Sequence, residues 1–442
     1  MEKKTKTIKV IGAGLAGCEA AYQISKYGIN VELYEMKPKK HSPAHKSDLF
    51  AELVCSNSLR SDRLENGAGL LKQELRELDS LIIKAADMTR VPAGGALAVN
   101  RNLFSEYVTQ SIKNNPYIKI IEKEVTEIPF SDGVPVIIAT GPLTDGEILK
   151  SIETVMGEGL HFFDAAAPIV TRESLNQDIV FEASRYDRGS DYINCPMTKD
   201  EYMHFVHELV NAEIVELHGF ENKSVFEGCM PVEVMAKRGE MTLAFGPLKP
   251  IGLIDERTGL KPFAVVQLRR EDKDGNSYNL VGFQTNLKFS EQKRVFSLIP
   301  GLENAEFLRY GVMHRNTFLN SPGKLNPVSY EVKSVENLYF AGQITGVEGY
   351  VESIASGFAA GMNSARKLLG LEQIDFTTAT AMGALSHYVS EYCGSNFQPQ
   401  NINFGLIDSL DYRVRNKQER YNKISERALE VISNIKKANK LE

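Results

Sequence analysis

The stretch TIKVIGAGLAGCEAAYQISKYGINVELYEMKP, close to the N-terminus, constrains the fold more than any other part of the chain. β-Branched residues run to Ile11. Gly12, Gly14 and Gly17 then fall at the spacing of a tight turn that opens into a helix, and Gly28 closes that helix before a second β-rich run. Strand, glycine turn, helix and strand in this order form a βαβ unit. Its glycines admit a pyrophosphate to the backbone, and the helix N-terminus favours the negative charge. Glu35 ends the second strand, where a carboxylate can hydrogen-bond a ribose hydroxyl. The unit fits a dinucleotide, with Gly12, Ala13, Gly14, Leu15, Ala16, Gly17 and Glu35 as its contacts. The alternative is a chance glycine turn, against which the strand, helix and acid stand in the right order.

Two later segments narrow the dinucleotide to FAD. GVPVIIATGP (133–142) is a strand ending in Ala-Thr-Gly, and ENLYFAGQITGVEGYVESIASGFAAGMNSARKLL (336–369) reads as strand, glycine-rich turn and small-residue helix. An extended FAD needs a second strand-to-helix junction whose glycines admit the ribitol and flavin and whose helix end favours the flavin's electron-rich edge. Gly141, Gly342 and Gly349 are the expected contacts. Asn100 and Arg101 of AVNR are expected near the same cofactor, with surface placement as the alternative.

The chain's 442 residues suffice for two or three domains with more than one core. Residues 186–324 lack nucleotide signatures and carry short β-rich runs such as KPFAVVQLRR and NLVGFQTN between Asp, Gly and Asn turns. We therefore expect an α/β protein, with a Rossmann-like FAD-binding domain over 1–185 and 325–442 and an inserted α+β substrate domain over 186–324. The C-terminal part reads as helix-rich, ending in a solvated amphipathic helix.

A formal charge of −6 argues against a globally basic nucleic-acid binder, although a local basic patch is compatible with it. Arg185, Arg188, Arg269 and Arg270 are candidates to meet RNA phosphate, with solvated surface arginines as the alternative. Five cysteines, Cys18, Cys55, Cys195, Cys229 and Cys393, are scattered, odd in number and without ligand spacing. Neither a disulfide framework nor a metal site is expected. No apolar window is long enough to cross a bilayer, and the basic N-terminus leads straight into the first strand rather than a signal peptide. A cytoplasmic, soluble monomer or homodimer is expected.

Six ordered motifs then carry a resemblance along essentially the whole chain: VIGAGLAGCEAAYQ (10–23), AELVCSNSLRSD (51–62), VPAGGALAVNR (91–101), IIATGPLT (137–144), FEGCMPVEVMAKRG (226–239) and FAGQITGVEGYVES (340–353). In these the chain resembles the folate- and FAD-dependent tRNA uracil-5-methyltransferases of the TrmFO family, relatives of the GidA-type flavoproteins. The resemblance implies methylation of carbon 5 of a uridine in RNA, ordinarily uridine 54 of the tRNA T-loop. The one-carbon unit would come from 5,10-methylenetetrahydrofolate, the electrons from reduced FAD, and the reducing power from NAD(P)H. It also implies that Gln343 contacts the flavin where many FAD enzymes carry an acid.

Carbon 5 of uracil is a poor nucleophile. A thiolate adding at carbon 6 makes the ring an enolate that can attack a folate-borne methylene, after which a base must remove the carbon 5 proton. The resemblance assigns the nucleophile to Cys229 and the proton-abstracting thiol to Cys55. Small-residue packing is the alternative for each. A thiol near pKa 8.5 needs only modest lowering by neighbouring cations to act as a base, and Arg60 and Arg63 are the cations nearest in sequence. Tyr350 offers a flat face to flavin or pterin, with core packing as the alternative. Cys18 and Cys195 are read as structural.

Three other readings stay open. One is the same chemistry on a uridine of 23S ribosomal RNA. The second is a flavin oxidoreductase acting on a small molecule, which leaves the motif cysteines unexplained. The third is a flavin-binding RNA chaperone without chemistry.

Overall fold

The computed structural model describes residues 6–130, 133–157, 160–165, 167–185, 189–215, 230–255, 257–259, 261–272, 274–311, 313–394 and 397–441. The β-branched run of the opening motif becomes the strand Thr7–Ile11, central in a five-stranded parallel sheet. The strands lie in the order Leu338–Phe340, Val136–Ile138, Thr7–Ile11, Asn30–Glu35 and Ile118–Glu122. Parallel strands covered on both faces read as continuous apolar runs rather than alternating ones, and Ile8, Val10 and Ile11 are all buried.

The helix Leu15–Ser25 follows the glycine turn and packs against the helix Tyr350–Leu369. Their approach depends on small residues. A Cβ on Gly357 would come within 2.3 Å of the Ala16 carbonyl oxygen, and one on Gly361 within 2.6 Å of the Ala20 backbone. The C-terminal part of the chain thus returns to the N-terminal sheet, adding the edge strand Leu338–Phe340 and the long helix to one apolar core.

A second core lies on a six-stranded antiparallel sheet, in the order Phe181–Glu182, Tyr192–Met197, Ala264–Arg270, Ser277–Leu280, Ile169–Thr171 and Phe307–Arg309. This sheet starts at Ile169, ahead of the expected limit at 186, and its last strand ends at Arg309, ahead of 324. The early strands are two and three residues long, too short to register a periodicity. An antiparallel pair, Leu160–Ala165 with Met313–Phe318, carries the chain out of the first core and back.

Between the two cores sits a three-stranded sheet, Ser58–Ser61, Ala96–Val99 and Arg90–Val91. The C-terminal stretch forms the helices Ala381–Glu391 and Lys417–Asn439, both against the helix Gly67–Glu77. The last helix buries Ile424, Ala428 and Ile432 and leaves most of its charges to solvent. No described helix is long and apolar enough to cross a membrane.

Candidate functional site

A cavity of about 470 Å³ opens at the carboxyl ends of the parallel strands and runs to the seam with the second core. This is where ligands bind in open α/β sheets. Gly12, Ala13, Gly14, Leu15 and Ala16 line one end, together with Glu35. Gly141, Gly342, Gln343, Gly349, Tyr350 and Cys55 line it as well.

The first end is built for an anion and a ribose. The helix Leu15–Ser25 has Gly14 at its N-cap with no side chain capping it, so its first N–H groups stay available. A Cβ on Gly14 or on Gly141 would meet no atom within 4 Å, which leaves both positions open to a ligand. Gly12 is different: its φ is +100° and a Cβ would lie 2.6 Å from the Ala139 carbonyl oxygen, so it serves the turn. Gly17 lies outside the wall, where a Cβ would collide with the Gly12 carbonyl oxygen at 1.8 Å. The Glu35 carboxylate accepts the Ala13 N–H at 2.9 Å and the Lys37 N–H at 3.0 Å. Each oxygen keeps a second lone pair for a hydroxyl.

The second junction is also a glycine-led helix start, but a Cβ on its N-cap Gly349 would lie 2.4 Å from a carboxylate oxygen of Glu352 in the first turn. Gly349 stands ahead of the helix Tyr350–Leu369, at φ +115° and again without a side-chain cap. The Gln343 amide nitrogen donates to Glu348 at 2.6 Å. Two uncapped helix ends thus face one cavity, as an extended dinucleotide requires.

On the Cys55 wall, the segment 51–57 is held from several directions. The Ala51 N–H donates to the Ala13 carbonyl at 3.0 Å. Arg101 donates to the Leu53 carbonyl. Arg309 donates to the carbonyls of Val54 at 3.0 Å and Cys55 at 2.9 Å. The N–H groups of Cys55 and Ser56 donate to the Tyr350 phenol oxygen at 2.8 and 3.2 Å. Arg269 donates to the Ser56 hydroxyl and, at 3.1 Å, to the Asn57 side-chain oxygen. Asn57 in turn donates to the carbonyls of Val99 and Arg270, fastening the small sheet to the second core.

Arg101, Arg269, Arg309 and Tyr350 all interact electrostatically with Cys55. Burial pulls the Arg269 and Arg309 guanidinium groups below the usual arginine range. Burial acts on Arg101 too, but the Glu271 carboxylate 2.6 Å away holds it above that range. Burial, and then Cys55, push the Tyr350 phenol up. Burial also pushes up the thiols of Cys18 and Cys195, both fully enclosed.

Several expectations change. Arg60 pairs with Glu352 while lining the same cavity as Cys55, the nearest carboxylate to Arg63 is Glu65 at 3.9 Å, and Arg101, Arg269 and Arg309 are further cations whose charge acts on Cys55. Arg269, expected at RNA phosphate, is buried beneath the Cys55 segment. Arg185 donates to the Pro247 carbonyl, and Arg188 lies outside the described residues. Asn100 and Arg101 stand outside the cavity wall. Asn100 caps the helix Arg101–Lys113 by accepting the Leu103 N–H, and Arg101 bridges Leu53 and Glu271.

Cys229 also lies outside the described residues. The described chain resumes at Met230, and the Val232 N–H donates at 2.7 Å to the carbonyl of Gln284, itself on the cavity wall. Gln284, Asn316, Glu348 and Arg309 are residues that sequence reasoning missed. Each stands alone in a stretch without a motif of its own or, for Glu348, beside glycines that drew the attention. Among the described residues no group of three or more His, Cys, Asp or Glu side chains is placed to hold a metal ion.

Residues 7–372 match the family model for glucose inhibited division protein A. A methylenetetrahydrofolate–tRNA-(uracil-5-)-methyltransferase TrmFO of Acetivibrio thermocellus is 60% identical over 427 residues, covering 96% of this chain and 97% of that one. Proteins of the same name are 57% identical over 439 residues in Lactobacillus gasseri, covering 99% and 100%, and 56% identical over 434 residues in Bacillus licheniformis, covering 98% and 99%. Among solved structures, Aquifex aeolicus GidA superposes with a TM-score of 0.69 over 100% of this chain and 76% of that one. At 16% identity that likeness speaks for the fold.

Proposed function

Because the chain belongs to the glucose inhibited division protein A family and, within it, to the TrmFO methyltransferases, we propose that it methylates carbon 5 of a uracil in tRNA with methylenetetrahydrofolate as one-carbon donor. The finer reading takes uridine 54 of the T-loop as the target, FAD as the bound dinucleotide and NAD(P)H as the external reductant. One observation carries it: Cys55 shares a cavity wall with Tyr350, in the same cavity that begins at the Gly12–Gly14 turn and Glu35.

Glu35, the Gly12–Gly14 turn and the two glycine-led helix starts would hold the dinucleotide. FAD bound there supplies, when reduced, the hydride that converts a methylene on carbon 5 into a methyl group. The chain's own residues do the rest. The Cys229 thiolate adds to carbon 6 of the uracil, and the resulting enolate attacks the folate methylene through carbon 5. The Cys55 thiolate takes the carbon 5 proton, tetrahydrofolate leaves, and loss of the carbon 6 thiolate accompanies the final reduction. The base must leave its stack to reach the cavity.

RNA carrying 5-fluorouridine tests this, since fluorine at carbon 5 cannot be removed as a proton. The wild-type protein with methylenetetrahydrofolate should form a covalent RNA adduct stable to denaturing electrophoresis. Cys229→Ala should form none, whereas Cys55→Ala should trap the 5-fluorouridine RNA and make no 5-methyluridine from ordinary tRNA. An adduct that survives Cys229→Ala overturns the assignment of the nucleophile.

A further inference from the structure

Arg269 and Arg309 have no carboxylate within ion-pair distance among the described residues. Among the described residues the acceptors of Arg309 are the carbonyls of Val54, Cys55 and Ala167, and its buried Nε has no partner there. Those of Arg269 are the Ser56 hydroxyl and the side-chain oxygens of Asn57 and Asn279. Arg101, the third cation, is balanced by Glu271. Glu271 also acts on Arg269 and Arg309, so one carboxylate faces three buried guanidinium groups, and that excess of positive charge removed from water favours a further anion beside them.

The acidic groups that act on both are Glu271 and, after it, the thiol of Cys55. Facing that thiol from the neighbouring elements are Arg101 with Glu271, Tyr350, Arg269 and Arg309. Arg60 and Glu352 pair with one another, and Glu52 accepts the N–H groups of Lys46 and Ser47.

We propose that Arg309 and Arg269 are positioning residues: they fix the Cys55 segment and supply the positive charge against which its thiolate forms. The second core thereby sets the reactivity of a thiol carried by the first. The thiol gives its proton to solvent before substrate arrives, and the thiolate later takes the proton of carbon 5 and becomes a thiol again. That catalytic use rests on the methyltransferase reading; the charge on the sulfur does not.

The test is the pH dependence of iodoacetamide alkylation in the full-length, flavin-loaded protein, followed peptide by peptide by mass spectrometry. Cys393, exposed, serves as the internal reference thiol. Cys55 should alkylate with a midpoint at least one pH unit below that of Cys393. Arg309→Met should move the Cys55 midpoint up by about one unit, a tenfold slower reaction at pH 7, leaving Cys393 unmoved, and Arg309→Lys should recover part of the shift. A wild-type Cys55 midpoint equal to that of Cys393 overturns the proposal whether or not any variant folds. So does an unmoved midpoint in a folded Arg309→Met protein. A low Cys55 midpoint in a protein that makes no 5-methyluridine would instead keep the arginine proposal and reject the methyltransferase reading.

Discussion

The Tyr350 phenol oxygen accepts the backbone N–H of Cys55 at 2.8 Å, joining residues 295 positions apart. The same oxygen takes the Ser56 N–H at 3.2 Å, so one side chain at the start of the long helix fixes two successive peptides of the thiol-bearing segment. Tyr350→Phe keeps the ring and removes the acceptor of two half-buried donors, at about 1 kcal/mol for each. We expect flavin to be retained and 5-methyluridine formation to fall by about tenfold or more, read by nucleoside analysis of tRNA turned over by the variant.

Gly12 and Gly14 are two residues apart and should fail differently. A Cβ at Gly14 meets nothing within 4 Å and projects into space a cofactor would use, whereas one at Gly12 meets the Ala139 carbonyl oxygen at 2.6 Å. Gly14→Ala should leave the melting temperature of the flavin-free protein unchanged while its flavin dissociation constant rises about tenfold, a cost of about 1.4 kcal/mol. Gly12→Ala should lower the melting temperature of the flavin-free protein as well, because φ +100° suits glycine and the carbonyl is backbone. Absorbance near the flavin maximum and thermal unfolding separate the two outcomes.

The dinucleotide end was legible because its chemistry is local. Three glycines, a helix start and an acid within one short stretch create the geometry by themselves, whatever the rest of the chain does. The Cys55 wall was legible only as a motif. The cations that hold its backbone come from Arg101, Arg269 and Arg309, on three separate elements, while the near neighbours Arg60 and Arg63 pair with Glu352 and Glu65. Arg60 sits at φ +62° in an irregular strand, which aims it at Glu352. Asn100 carries a local signal of its own: an asparagine directly before RNLFSEYV suits a helix N-cap, and its side chain is used as one. Nothing local marks Arg309 in FLRYG, since its meaning depends on two cores meeting.

Glu352 ties three parts of the first core together. Its Oε1 accepts from Arg60 and from the Ile402 N–H, so the long helix, the small sheet and the C-terminal segment converge on one buried carboxylate. Arg60 is partly exposed, which discounts the pair relative to a fully buried one. Glu352→Gln should destabilise the protein by about 1–2 kcal/mol, and Arg60→Met in that background should add little further, giving a coupling of about 1 kcal/mol in a urea-unfolding double-mutant cycle. Strictly additive effects would mean that the contact carries no energy.

Glu74 gives the fold a pH dependence of its own. Its carboxylate is fully buried and accepts the N–H groups of Ala381 and Met382 at 2.7 and 2.9 Å, capping the helix Ala381–Glu391. Burial outweighs those two bonds and pushes its pKa up to about 7 from an ordinary value of 4.5. The folded chain therefore holds this proton more tightly than the unfolded chain. The contribution is present in full below pH 4.5 and lost as pH rises through about 7, after which it stays flat. Relative to Glu74→Gln, which cannot titrate there, the wild-type protein should lose up to about 3 kcal/mol of unfolding free energy between those limits. Urea unfolding of both proteins at matched pH values measures the difference. A constant difference from pH 4.5 to 8 would mean that the two helix-end N–H groups overcome burial and keep Glu74 ionised throughout.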